Sequence, residues 1–200
     1  MKGGTGKSTF AFNLAVWLAH QDKSLSLFDF DPQQTFADVV EVRSDEGYQP
    51  VLPPTLDQSH ITKMDDRLTD HTIIDVSMSD QLAMKSAIQI CDQIIIPVAP
   101  SQADIWSTQR FIKLIKNERA SLPKVFGVLN RADTHPFVAE TKETEDAIDY
   151  LPIIGRIKTR LHNRTAYRRS FSEGLGVFEL EPNGKASREF IKVVNTIFKL

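Results

Sequence analysis

The sequence lacks several features that define whole classes of protein. Its single cysteine, Cys91, excludes a disulfide framework and any metal site built from several cysteines of one chain. No run of about 18 apolar residues occurs, and the first residues do not form a secretory signal. With 24 Lys+Arg against 26 Asp+Glu, the net charge of −2 excludes a histone-like polybasic protein but permits a local basic face. A lone cysteine is typical of a reducing compartment, so a cytoplasmic location is expected.

Short apolar runs alternate with amphipathic stretches along the chain. Strands are predicted over residues 25–30, 71–75, 93–98, 124–129 and 152–157. Helices are predicted over residues 8–20, 81–90, 103–119, 138–150 and 186–198. Most of the strands lack polar alternation, which is typical of strands that are buried on both faces. The pattern predicts an α/β fold with a mostly parallel, doubly wound sheet, helices on both faces, and ligands at the carboxyl ends of the strands.

No repeat or low-complexity tract divides the 200 residues, and a single domain over 1–200 is expected. Residues 43–59 contain one glycine and three prolines and are interpreted as a connection. Charge is uneven later in the chain. Residues 133–149 hold six acids and one base, whereas residues 150–172 hold six bases and no acid.

The strongest motif is KGGTGKST at residues 2–9, which leads directly into the first predicted helix. Glycines allow backbone N–H groups to turn toward a phosphate, and the helix directs its positive end at the same anion. Lys7 can reach phosphate oxygens, and the Ser8 hydroxyl can bind Mg²⁺. The general phosphate-loop pattern has glycine where Met1 stands, so this is a variant with a second lysine, Lys2. The alternative is a glycine-rich turn that binds no ligand.

Acidic residues follow two of the predicted strands. Asp29 and Asp31 close the first apolar run, and Asp75 closes the second. Carboxylates at the carboxyl ends of parallel strands lie at the edge where the phosphates are expected. They could bind Mg²⁺ or orient a water for hydrolysis, or they could be ordinary helix-capping and turn residues.

Together these motifs resemble the ParA/MinD family of deviant Walker A ATPases, and the chain is most similar in appearance to small, ParF-like plasmid partition ATPases. The residues that carry the resemblance are KGGTGKST at 2–9, DFDPQ at 29–33, TIID at 72–75, IIIPVAPSQAD at 94–104, VLNR at 128–131, and Glu173-Gly174 with VFE at 177–179. The resemblance implies a P-loop fold, ATP and Mg²⁺ as cofactors, and weak ATP hydrolysis that a partner stimulates.

The resemblance also implies a role for each matching residue. Lys2 would reach the partner subunit's ATP across a homodimer, as arginine fingers do in other phosphoryl-transfer enzymes. Asp31 would be needed for hydrolysis, Ser8 and Asp75 would serve Mg²⁺, and Asn130 would contact adenine. The implied nucleotide-binding set is Gly3, Gly4, Thr5, Gly6, Lys7, Ser8, Thr9 and Asn130.

The chain departs from the family pattern in two places. The family has an apolar core strand before the loop, whereas only Met1 precedes it here. We therefore expect the first core strand to be missing upstream of Met1, either because the reading frame is truncated or because the protein is impaired. After Asp75 the chain reads Val-Ser-Met-Ser, where the family usually has a switch that contains proline.

The basic segment suggests a second ligand. In the family, positive residues of this region bind chromosomal DNA without sequence preference, which implies a nucleoid-associated protein. The candidate DNA-binding residues are Arg156, Lys158, Arg160, Arg164, Arg168 and Arg169. No base-reading motif accompanies them, so contacts with phosphates are expected. The alternative is a solvated surface paired with the acids of residues 133–149.

The resulting hypothesis is an ATP-dependent, dimerising partition ATPase that segregates plasmid or chromosomal cargo with a centromere-binding partner. A MinD-like membrane-cycling ATPase is the alternative, because residues 186–198 form an amphipathic helix. Simple packing of that helix is favoured, so membrane binding is not expected. Among metabolic relatives, an iron–sulfur protein with two cysteines per subunit is excluded by the lone Cys91, whereas an amide-forming enzyme stays open.

Overall fold

The computed structural model describes residues 4–63, 69–135 and 138–199. The described strands are β1 Leu25–Asp29, β2 Thr55–Leu56, β3 His71–Asp75, β4 Gln93–Val98, β5 Lys124–Leu129 and β6 Ile154–Ile157. The helices are α1 Lys7–Ala19, α2 Thr35–Asp45, α3 Gln81–Ile90, α4 Gln102–Glu118, α5 Ala139–Asp149, α6 Thr165–Ser172, α7 Val177–Leu180 and α8 Lys185–Phe198, with a 3₁₀ helix at Gln58–Lys63.

The chain divides into two compact units. Unit 1 comprises Met1–Gly6, Lys85–Arg164 and Asn183–Leu200, and unit 2 comprises Lys7–Met84 and Thr165–Pro182. The expectation of a single domain over 1–200 remains a prediction.

Unit 2 contains a parallel three-stranded sheet in the order β2-β1-β3. Its core includes the fully buried Phe12 on α1, Phe28 on β1 and Phe36 on α2. Asp29 and Asp75 are partners in the register of β1 with β3. Because both strands end there, the two carboxylates lie at the same edge of the sheet.

Unit 1 contains a second parallel sheet in the order β4-β5-β6. The apolar side of α8 is buried through Phe190, Val193, Val194 and Ile197. This burial accords with packing of the last helix, the interpretation favoured over a membrane-binding helix. No described helix is long and apolar enough to cross a membrane.

The predicted parallel α/β architecture is confirmed, with corrections to its elements. Within the residues that the structure describes, the strands form two three-stranded parallel sheets, one in each unit. The interpretation of residues 43–59 as a connection is wrong at both ends. Helix α2 continues through Asp45 at the first end, and β2 and the start of the 3₁₀ helix lie at the second. Helices α2, α6 and α7 were not predicted. The expected strand upstream of Met1 lies outside the residues that the structure describes, so this expectation stays a prediction.

Candidate nucleotide-binding site

Unit 1 holds the described glycines of the phosphate loop. Gly4 and Gly6 have φ of 116° and 85°, values that favour glycine. A Cβ at Gly6 would lie 2.5 Å from Asn130 Nδ2, so any other residue would have to displace that side chain. The Thr5 hydroxyl is buried without a hydrogen-bond partner among the described residues. The predicted site residues Lys2 and Gly3 lie outside the described residues.

Asn130 supports this loop from the end of β5. Its side-chain amide donates to the Thr5 carbonyl at 2.7 Å, and its backbone N–H donates to Val98 at the end of β4, at 2.8 Å. The side chain therefore links the carboxyl end of the sheet to the loop. The adenine contact inferred for Asn130 stays a prediction, whereas its contact with the loop was not foreseen from sequence.

The motif continues into unit 2, where α1 begins at Lys7. Lys7, Ser8 and Thr9 form its first turn and are half-buried. Asn13 donates to the Thr9 carbonyl at 2.8 Å and accepts from the Val177 N–H at 2.7 Å. Asn13 therefore ties the first turn of α1 to the start of α7; its position four residues after Thr9 indicates the first of these contacts but not the second.

Asp75 is the most perturbed carboxylate of the site. It is only 3% exposed, and burial raises its pKa to about 6. The charges of Asp29 and Asp31 act in the same direction, while a hydrogen bond from Ser8 and the charge of Lys7 oppose the increase. The structure thus brings Ser8 and Lys7 close to Asp75, and their binding roles stay predictions.

The environment of Asp75 suits a magnesium ion. Its Oδ2 atom is buried without a hydrogen-bond partner among the described residues. A buried carboxylate oxygen of this kind is stabilised by a cation, and Mg²⁺ commonly binds through one or two carboxylates together with phosphates and water. The Ser8 hydroxyl beside it adds a second oxygen ligand, so the residues present fit the ion.

Asp29 and Asp31 have different surroundings. Asp29 is buried, and its carboxylate accepts from the N–H groups of Asp31, Phe36 and Ala37 at 2.9, 3.0 and 3.0 Å. Burial raises its pKa, although these hydrogen bonds oppose the change. Asp29 therefore caps α2 and fixes the turn that carries Asp31. Asp31 is half-buried and accepts from the Gln33 N–H at 3.0 Å, which keeps its carboxylate at the rim of the unit 2 sheet.

The candidate DNA-binding residues fall into two groups. Arg156 and Arg160 form ion pairs with Glu145, Arg156 also pairs with Asp149, and Arg164 pairs with Glu189. For Arg156 and Arg160 this is the pairing with residues 133–149 given above as the alternative. The exposed members are Lys158, Arg168 and Arg169, of which Arg169 lies 3.8 Å from Glu173.

Comparisons with known proteins identify the family of the chain. Residues 1–173 match the CobQ/CobB/MinD/ParA nucleotide binding domain, and the chain belongs to this family. Maintenance of carboxysome distribution protein A from Halothiobacillus neapolitanus is 30% identical over 204 residues, which cover 98% of this chain and 93% of that protein.

Solved structures of low identity show the same fold. Apo McdA from Cyanothece aligns with a TM-score of 0.78 at 16% identity, over 98% of this chain and 96% of that one. A putative plasmid partition protein from Borrelia burgdorferi B31 bound to AMPPNP aligns at 0.74 and 16% identity, over 99% and 95%. MinD from Pyrococcus horikoshii, complexed with Mg-ADP, aligns at 0.70 and 20% identity, over 98% and 92%.

The predicted class is therefore confirmed. The chain is an ATPase of the ParA/MinD family, and an adenine nucleotide with Mg²⁺ is the cofactor set of that family. The roles assigned to individual site residues stay predictions.

Proposed function

We propose that this chain is a positioning ATPase that distributes a large intracellular cargo by cycling on and off DNA. ATP would close a homodimer, the dimer would hold DNA without sequence preference, and hydrolysis stimulated by a cargo-bound partner would release it. The observation that carries the proposal is the grouping of Lys7, Ser8 and Asp75, with the unpartnered oxygen of Asp75. The 30% identity to a carboxysome distribution protein over nearly the whole chain supports the positioning role.

The residues of the motif would divide the work of binding. Glycine-loop N–H groups and Lys7 would hold the phosphates, and Ser8 and Asp75 would hold Mg²⁺. The ion supplies positive charge to the phosphates when it is bound. Thr9 follows on the same helical turn as a further phosphate contact, and Asn130 keeps the loop in its binding conformation through Thr5.

Hydrolysis would depend on Asp31 and Lys2. Asp31 lies on a turn that Asp29 fixes, so its carboxylate is held in place to orient a water. Lys2, which lies outside the described residues, would act on the partner subunit's nucleotide, as the family resemblance implies. A site completed by the second subunit would be weakly active until a partner stabilises the dimer.

The relatives support a proposal about the cargo and its adaptor. One relative maintains the distribution of carboxysomes, and a structural neighbour is described as a plasmid partition protein. We propose that the partner is an adaptor bound to the cargo, of the centromere-binding kind if the cargo is a plasmid. The buried apolar face of α8 favours DNA over a membrane as the supporting surface.

The experiment compares wild type with Asp31→Ala in light scattering and in an ATPase assay. With ATP and Mg²⁺, wild type is expected to form a dimer that reverts as ATP is consumed. Asp31→Ala is expected to remain dimeric and to lose at least about tenfold in turnover. Asp38→Ala is the matched control, because Asp38 is an exposed carboxylate on the neighbouring α2.

The proposal fails if Asp31→Ala stays monomeric in ATP or turns over at the wild-type rate. Wild type is also expected to bind duplex DNA in ATP and not in ADP. Binding to anionic liposomes in place of DNA would favour the MinD-like, membrane-cycling alternative.

A further inference from the structure

Arg131 occupies an uncommon backbone position directly after β5. Its φ is 57°, in the left-handed region that residues other than glycine rarely adopt. Both neighbours are held, since Asn130 N–H donates to Val98 and Ala132 N–H donates to Leu161 at 3.0 Å. The surrounding structure thus imposes the conformation, and conformations of this kind concentrate at functional sites.

This conformation brings the Arg131 side chain to the phosphate loop. A Cβ built at Gly4 would lie 3.5 Å from Arg131 Nη1, so the guanidinium lies beside the backbone of Gly4. Asn130, the preceding residue, hydrogen bonds to the Thr5 carbonyl. Two consecutive residues at the end of β5 therefore meet two consecutive residues of the loop, all of them within unit 1.

The Arg131 guanidinium is also available for a ligand. The side chain is exposed, and over residues 4–63, 69–135 and 138–199 it forms no ion pair with a carboxylate. By contrast, Arg156, Arg160 and Arg164 of the same unit are each paired with a glutamate. A planar guanidinium with free donors beside a phosphate loop matches the geometry of phosphate oxygens.

We propose that Arg131 binds the phosphate chain of the nucleotide from within the same subunit, as a cation beside the glycines of the loop. The inference rests on the proposed binding of a nucleotide at residues 4–9. It assigns Arg131 a binding contact with phosphate rather than with the base or the ribose.

The test measures the affinity for Mg-ADP by calorimetry, and the affinity for inorganic tripolyphosphate by displacement of a fluorescent ADP analogue. Arg131→Asn removes the charge, and asparagine tolerates the left-handed backbone. We expect its Kd for both ligands to rise about tenfold or more, by the same factor, and Arg131→Lys to restore part of the loss. Lys124→Ala is the control, because Lys124 is an exposed cation at the opposite end of β5.

The inference is overturned if Arg131→Asn binds Mg-ADP within twofold of wild type while its thermal midpoint is unchanged. A loss for ADP without a loss for tripolyphosphate also overturns it, since the contact would then be with the nucleoside. If wild type itself binds neither ligand, the proposed function fails, and that result is distinct from a failure of Arg131 alone.

Discussion

A single buried carboxylate links the stability of this protein to its ligand. The ionised form of Asp75 is disfavoured without a ligand, because the side chain is buried and Asp29 and Asp31 lie near it. Its pKa is raised from 3.8 to about 6. The unfolded chain thus ionises at lower pH than the folded chain does, and ionised Asp75 destabilises the fold. This destabilisation is full above about pH 6 and disappears as pH falls toward 4.

We predict that Asp75→Asn stabilises the protein at pH 7 in EDTA without nucleotide. At about 1.4 kcal/mol per pKa unit, the gain in the free energy of unfolding is at most about 3 kcal/mol. Urea unfolding at pH 7 and pH 5 measures it, and the difference between variant and wild type should shrink at the lower pH. Asp38→Asn, at an exposed site, should change little at either pH.

Asp75→Asn should also bind Mg-nucleotide more weakly, because an amide is a poorer ligand for Mg²⁺ than a carboxylate.

If Asp75→Asn is instead less stable than wild type at pH 7, the result contradicts the destabilising role of ionised Asp75.

At the residue scale, sequence spacing was sufficient where the chemistry lies within one motif or at a strand end. Lys7, Ser8 and Asp75 lie near one another for that reason, while their roles in binding stay predictions. The contact of Asn130 with Thr5 was not predicted, because it joins residues 125 positions apart. The left-handed backbone of Arg131 could not be predicted from the sequence either, since arginine has no preference for that conformation.

At the scale of elements, a buried arginine joins α2 to the start of α7. Arg43 is 1% exposed, and its guanidinium binds both carboxylate oxygens of Glu179 at 2.8 and 2.9 Å. It also donates to the carbonyls of Gly174 and Pro50 at 3.0 and 3.1 Å. The charge is therefore satisfied by one carboxylate and two backbone oxygens, and removal of its partner would leave it buried and uncompensated.

A double-mutant cycle tests this ion pair. Glu179→Gln is expected to lower the free energy of unfolding by about 3 kcal/mol, because Arg43 loses its counter-charge in a buried site. Arg43→Met with Glu179→Gln should be less destabilising than the sum of the two single changes. Chemical denaturation measures all four proteins, and an additive result would show that the pair is not coupled. Glu173→Gln, at an exposed glutamate of the same segment, is the control.

Arg43 also explains why α2 was not recognised from the sequence. Phe36, Val39 and Val40 are buried at helical spacing, but the next position on that face holds an arginine instead of an apolar residue. Strand β2 has only two residues, and its pairing with β1 depends on the fold around it. The elements that were predicted carry an apolar run or an amphipathic pattern that is visible in the sequence itself.

For the whole molecule, charge distribution matters more than the net charge of −2. The acids of α5 bind Arg156 and Arg160 by ion pairs, so these two arginines hold β6 and the residues after it. Hydrogen bonds from Arg160 help to lower the pKa of Glu145, which keeps the pair ionised. Their cationic heads are therefore less available to DNA than those of Arg168 and Arg169, which are exposed on α6.

We therefore predict that the two groups of arginines behave differently in DNA titrations with ATP and Mg²⁺. Replacement of Arg168 and Arg169 by alanine should weaken binding and reduce the slope of log K against log salt by about 2, close to one for each lost phosphate contact. Replacement of Arg156 and Arg160 should chiefly lower stability, because Glu145 is left without partners.

Lys113 and Lys116, both exposed on α4, provide the matched pair of alanine controls for loss of two charges. If replacement of these two lysines reduces the salt slope as much as replacement of Arg168 and Arg169 does, the effect comes from net charge and not from a defined surface. If the slope of log K against log salt is unchanged when Arg168 and Arg169 are replaced, the DNA contact lies on other residues. The slope counts counterions that phosphate contacts release, and a side chain that contacts no phosphate does not contribute to it.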